Sequence, residues 1–217
     1  MNEKNPPELI TINSWPFRVS IASKQTNTPQ VLLLLHGHLG NENVMWIFAK
    51  PLVDHFNILS PRAPQKMGEN QFSWHKIGLR WPGIKKYQAL TDELLKRVNS
   101  WLDENDIHVS QIDLMGFSQG AVMAYALAIL QPEIIRRVAV IAGFIPNEWK
   151  SEIETVNLEG KHFFVAHGKK DEIIPIRRAY HAQTWLRDHN AQVNFCEADI
   201  GHKIGANCFN GLGEFFT

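Results

Sequence analysis

Ile112-Asp-Leu-Met-Gly-Phe-Ser-Gln-Gly120, running into Ala121-Val-Met-Ala-Tyr-Ala-Leu-Ala-Ile-Leu130, is the stretch whose reading decides the fold. Its first four residues form a short, largely apolar run, and a run apolar on both faces suits a central strand of a parallel sheet covered by helices above and below. After Gly120, Val122, Ala126, Ile129 and Leu130 give a helical stripe. The prediction is strand, sharp turn, helix, with Ser118 at the turn. Glycines two residues either side of the serine let the two backbones approach closely. Such a turn lifts the Ser118 hydroxyl clear of the sheet, and the helix N-terminus behind it favours developing negative charge.

Working outward, further apolar runs occur at Val31 to Leu35, Asn57-Ile-Leu, Val138-Ala-Val-Ile and His162-Phe-Phe-Val-Ala, with a later alternating one at Gln192-Val-Asn-Phe-Cys. Between them lie helical patterns. Leu90, Leu94, Val98 and Leu102 step by four along Tyr87 to Glu104, and Ile176 to His189 and Lys203 to Phe216 are weaker candidates. Strands alternating with helices imply right-handed crossovers and an α/β fold, a mostly parallel central sheet with helices on both faces. Phe17-Arg-Val-Ser-Ile alternates with period two and reads as an edge strand; Ser23 to Gln30 is the loop after it. Residues 1–7 are expected to be a tail, and Pro61 to Trp81 a long patternless loop of the functional kind. The strand and helix units use nearly all of residues 1–217, so one domain with no separate lid is expected, its site shallow and covered only by loops.

In such sheets sites lie outside the carboxyl ends of the strands. A serine hydroxyl needs a base to take its proton and an acid to orient that base. Asp171 follows the run ending at Ala166, and His202 follows the run ending at Glu197, so Ser118, Asp171 and His202 stand in the order serine, acid, histidine. Glu172 and Asp199 are rivals for the acid, read as solvated loop carboxylates. Asp113 is expected to satisfy backbone or a cation, and His36 and His167 to orient loops. An oxyanion needs two donors. The backbone amide of Gln119 is the first, and that of His38, within His36-Gly-His-Leu-Gly40, the second. His36 and His38 lack a third ligand at supporting spacing, so no metal is assigned, and the chemistry calls for no cofactor.

Composition narrows the classes that remain. The 217 residues carry 22 basic and 22 acidic side chains, so nothing global draws the chain to nucleic acid or an anionic membrane. The longest apolar stretch, Ala121 to Leu130, is about half the length of a membrane span. Two cysteines, Cys196 and Cys208, make no disulfide framework, and a reduced, cytoplasmic setting is expected. Trp15, Trp46, Trp74, Trp81 and Trp149 supply aromatic surface through which two copies could form a homodimer.

His36-Gly-His-Leu-Gly-Asn-Glu-Asn43, Ser60-Pro-Arg-Ala-Pro64, Gly116-Phe-Ser-Gln-Gly120, His167-Gly-Lys-Lys-Asp-Glu-Ile-Ile-Pro175 and Gly201-His202 together resemble the α/β-hydrolase fold, and within it the phospholipase/carboxylesterase family that includes acyl-protein thioesterases. The resemblance implies a cofactor-independent serine hydrolase that cleaves carboxylic esters, or thioesters, of small-molecule or acylated substrates through an acyl-enzyme on Ser118. It carries over Ser118, Asp171 and His202 as triad and His38 and Gln119 as oxyanion donors. Trp74, in Phe72-Ser-Trp-His-Lys-Ile, matches a region where relatives place an aromatic pocket residue, and is a candidate pocket wall. This chain departs from the family at His38, which stands where an apolar residue is usual. An acyltransferase using the same acyl-enzyme, or a non-catalytic binding protein of the same fold, are the alternatives.

Overall fold

The computed structural model describes residues 7–24, 26–76, 78 and 80–216; the tail expected over residues 1–7 lies outside them apart from Pro7. Eight strands form one sheet: β1 (Glu8–Ile12), β2 (Trp15–Ser20), β3 (Val31–Leu35), β4 (Asn57–Pro61), β7 (Ile112–Phe117), β8 (Ile135–Ile141), β9 (His162–Gly168) and β10 (Gln192–Ala198). A separate hairpin is made by β5 (Gln65–Gly68) and β6 (Gln71–Ser73). The helices are α1 (Trp46–Ala49), α2 (Lys85–Glu104), α3 (Gln119–Leu130), α4 (Arg177–Asp188) and α5 (Ala206–Phe216). Spatial order in the sheet is β1-β2-β4-β3-β7-β8-β9-β10. From β4 to β10 every pair is parallel, and β1, β2 and β4 pair antiparallel at one end.

The sequence pattern accounts for the layers. β3 and β4 are buried at every residue, because helices cover both faces of the sheet. Apolar residues of α2, α3 and α4 share one core, and those of α1 and α5 the other. α3 is buried on nearly all sides, which explains why its apolar residues run all round rather than in a stripe. Asp113, fully buried in β7, accepts hydrogen bonds from Arg136 and Arg137, so it holds cations as expected.

Two expectations are corrected. β2 is not an edge strand: β1 pairs with its outer side in the register Ile10↔Phe17. The connecting residues Asn13 and Ser14 both have positive φ, the two-residue hairpin geometry that matches strand twist. Within residues 61–81, the β5–β6 hairpin occupies what reads as patternless loop, and Phe72 N–H donates to Gly40 O, fastening it to the turn after β3.

The tryptophan patch is likewise not there. Trp15, Trp46, Trp74 and Trp149 are buried in the core of the single chain. The cysteines also depart from expectation, since Cys196 at the end of β10 and Cys208 in the first turn of α5 are joined as a disulfide, their Cα atoms 5.6 Å apart. The two elements that carry them pack side by side, which brings residues 12 apart in sequence within bonding reach. No helix among the described residues is long and apolar enough to cross a membrane.

Candidate active site

Ser118 sits between β7 and α3 with φ 54° and ψ −114°, a conformation few non-glycine residues adopt. The turn is held by Ser118 N–H donating to Ile141 O of the neighbouring strand (2.9 Å). Close approach explains the flanking glycines: a Cβ on Gly120 would stand 2.0 Å from Leu35 O, and one on Gly116 2.3 Å from Gly120 O. The strain at Ser118 is thus imposed by packing on both sides.

Asp171 and His202 reach the same point from the ends of β9 and β10. The parallel register Ala198↔Gly168 brings the two following loops together, and Lys170 N–H donates to Ile200 O across them (2.9 Å). His202 Nδ1–H donates to Asp171 Oδ2 (2.7 Å), and Ser118 Oγ–H donates to His202 Nε2 (3.0 Å). Asp171 is itself buried and anchored, its Oδ1 accepting the amides of Ile173 and Ile174 (3.0 and 2.8 Å). A carboxylate with both oxygens engaged cannot rotate away from the imidazole. Glu172 is exposed, and Asp199 pairs with Lys170 at the surface, so neither rival approaches His202 Nδ1.

His38 lies in a turn closed by Gly40 N–H donating to Gly37 O (3.1 Å), with Leu39 at φ 62°. The closing bond uses the amide of Gly40 and leaves that of His38, at the second position of the turn, for another acceptor. A Cβ on Gly37 would stand 3.4 Å from Ser118 Cβ, so this turn packs directly on the serine. Gln119 is the first residue of α3, where a backbone amide has no carbonyl one turn back to receive it. Both residues line the cavity of about 350 Å³ at Ser118 and His202. Two amides beside a nucleophilic oxygen form an arrangement suited to a tetrahedral oxyanion.

Two further parts escape the sequence reading. The side chain of Gln119 is a clasp: its Oε1 accepts Trp74 N–H (2.9 Å) and its Nε2 donates to His75 O (3.0 Å), tying residues 73–75 to the serine turn. Trp74 is 2% exposed with Nε1–H donating to His36 O (2.7 Å); it pins that segment to the core and does not line the Ser118 cavity. Its place in the wall is taken by Trp81, with Phe144 and Arg178. Nothing in the spacing of these three marks them, because they come from the loop after β6, the loop after β8 and the first turn of α4.

His36 and His167 are buried and used for position. His36 Nδ1–H donates to Gly37 O (2.7 Å) while Nε2 accepts Ala63 N–H (2.9 Å), which occupies both ring nitrogens. Burial lowers its pKa to about 4. His167 Nε2–H donates to Ile174 O (2.7 Å), bracing the Asp171 loop, and burial lowers its pKa too.

Comparison with known proteins identifies the family and the fold. The phospholipase/carboxylesterase family matches residues 18–217. Acyl-protein thioesterase 1 of Saccharomyces cerevisiae is 28% identical over 189 residues, spanning 77% of this chain and 82% of the yeast protein. Esterase YpfH of Escherichia coli is 24% identical over 200 residues, covering 85% and 80% of the two chains. The fold is shared with a carboxylesterase from Mesorhizobium loti (TM-score 0.81, 22% identity, 98% and 99% coverage) and with the Bacillus cereus carboxylesterase (TM-score 0.80, 22% identity, 94% of each chain). A family match reaching from the second strand to the last helix, around a serine turn of this geometry, means that the chain belongs to the phospholipase/carboxylesterase family of hydrolases with the α/β-hydrolase fold.

Proposed function

We propose that the protein hydrolyses carboxylic esters, thioesters included, through an acyl-enzyme on Ser118, with Asp171 and His202 completing a triad. The observation that carries this reading is the continuous hydrogen-bonded path Ser118 Oγ to His202 to Asp171, with separations of 3.0 and 2.7 Å. Ser118 Oγ attacks the acyl carbonyl while its proton passes to His202 Nε2. Asp171 holds the proton on Nδ1, so that Nε2 is the accepting nitrogen, and stabilises the imidazolium that forms. The amides of His38 and Gln119 bind the oxyanion. Collapse expels the alcohol or thiol, which takes the proton from Nε2; water then repeats the sequence and releases the acid.

The substrate reading rests on two neighbouring spaces, one of which holds the serine. One is the 350 Å³ cavity described above. The other, about 490 Å³, is an apolar cleft under α1 lined by Leu39, Val44, Ile47, Phe48 and Ile204, and it shares Gly37, His38 and Phe117 with the first. Apolar side chains left partly exposed beside a nucleophile suit an aliphatic acyl chain. Residues 1–217 act as one such domain, reached by substrate between loops.

A fluorophosphonate probe followed by peptide mapping tests the reading: labelling at Ser118, lost in Ser118→Ala together with 4-nitrophenyl butyrate hydrolysis, is the expected result. A Ser118→Ala variant as active as the parent would overturn it. Whether the setting is cytoplasmic, against the Cys196–Cys208 bond of the structure, is tested by thiol titration of rapidly quenched cells. Two free thiols support it, and an intact Cys196–Cys208 bond moves the protein to an oxidising compartment, because stable disulfides are rare in the cytosol.

A further inference from the structure

Most of the internal arginines of this chain are matched by carboxylates. Arg62 pairs with Glu42, Arg97 with Glu93, and Arg136 and Arg137 with Asp113. Arg178 is different. It lines the cavity that holds Ser118 and His202, and its guanidinium lies over the Phe144 ring, 3.5 Å from the centroid. Among the described residues it donates no side-chain hydrogen bond and forms no ion pair. Glu148 acts on it only at longer range and is engaged with the backbone amide of Trp81, while Arg177 adds a second positive charge nearby. Burial holds its pKa below the usual guanidinium value.

Helix stability does not explain the residue. Arg178 stands in the first turn of α4, the positive end of the helix dipole, where there is no acidic residue and a cation is disfavoured. The contact with the aromatic face restrains the guanidinium. Held against the ring in the cavity wall and without a side-chain partner among the described residues, the group is preorganised for a planar anion.

We infer that Arg178 is a specificity-determining residue that receives a carboxylate carried by the ester substrate. This deepens the hydrolase reading of Ser118 and rests on it. The apolar cleft under α1 takes one half of the ester, and the Arg178 side takes the half that bears the charge. That half is either the acyl group, as in a hemiester of a dicarboxylic acid, or the alcohol.

Two substrate pairs separate these sources. The acyl-side pair is the 4-nitrophenyl monoester of glutaric acid and the same ester with a primary carboxamide replacing the free carboxylate. The alcohol-side pair is 4-butyryloxybenzoate and 4-butyryloxybenzamide. For each, the ratio of kcat/KM for carboxylate over carboxamide is measured in the parent, Arg178→Gln and Arg178→Lys. In one pair the ratio should drop about tenfold in Arg178→Gln and partly recover in Arg178→Lys, since a point charge without the fork keeps only part of the recognition. The same ratio should decline with added salt in the parent, less steeply in Arg178→Lys, and stay flat in Arg178→Gln. Ratios unchanged within about twofold in both pairs would overturn the assignment. If the parent turns over none of the four esters, the hydrolase reading fails separately. Calorimetric binding of glutarate then decides Arg178: a Kd about tenfold weaker in Arg178→Gln supports it, and equal values reject it.

Discussion

The turn after β3 and the loop after β10 each present a histidine at the carboxyl end of a strand, and they put it to opposite uses. His36 is fully buried, both ring nitrogens are committed to backbone groups, and its pKa is lowered to about 4. Its carbonyl also accepts the Trp74 indole, so one residue ties together the oxyanion turn, the segment after β4 and the residue 73–75 clasp. His202 has a carboxylate on Nδ1 and a serine hydroxyl on Nε2, and stays part-exposed. A histidine whose partners are a carbonyl and an amide is locked in one neutral form. One placed between a carboxylate and a hydroxyl can accept a proton and return it.

The contrast is broken most severely at His202. His202→Gln should lower kcat/KM for a 4-nitrophenyl ester by about four orders of magnitude with the melting temperature nearly unchanged. A loss below tenfold would mean that another group serves as base. Next, Asp171→Asn should cost roughly 10³-fold or more in kcat, because an amide offers Nδ1 no fixed negative acceptor and the useful tautomer is lost. Exposed Glu172→Gln should stay within about threefold, and the reverse ranking would reassign the acid.

His36→Gln should act on stability first. Urea unfolding should show a loss of about 1–3 kcal/mol at neutral pH, as buried hydrogen bonds to Gly37 and Ala63 are disrupted.

The same residue sets a pH window. The folded pKa of His36 lies below the 6.5 of the free side chain, so the unfolded chain takes up the proton first. The contribution of His36 is therefore whole above pH 6.5 and is lost as pH falls to about 4, by up to about 3 kcal/mol. Buried His167 adds in the same direction. The difference in unfolding free energy between parent and His36→Gln, measured from pH 7.5 to 4.5, should shrink toward acid; a constant difference would show that His36 titrates alike in both states. The smallest effect belongs to Asp199→Asn, whose exposed, solvent-screened pair with Lys170 should leave the urea unfolding midpoint unchanged within measurement error.

Much of this contrast is legible in the chain. Both histidines follow an apolar run, and the serine turn announces itself through Gly116 and Gly120, each required by a backbone contact that admits no Cβ. The order Ser118, Asp171, His202 follows from the strands that carry them. Local pattern fails where the decisive contact is remote. β1 is hidden by a polar, proline-rich start and is revealed only by its pairing with β2. Trp74 and Trp81 stand seven residues apart in one loop, yet one enters the core and the other lines the cavity. The cysteine pair is a similar case, since its closeness depends on how α5 packs against β10.

The sequence by itself determined the alternation of strand and helix, the serine turn and which acid and histidine follow the last two strands, because these depend on periodicity, on glycine and on short-range chain order. Tertiary structure decided which histidine is sealed and which is free to cycle, that Gln119 clasps residues 73–75, and that Arg178 meets Ser118 in one cavity. Each of these depends on groups distant in sequence meeting in space. Burial and partners, rather than residue type, then fix what each side chain does.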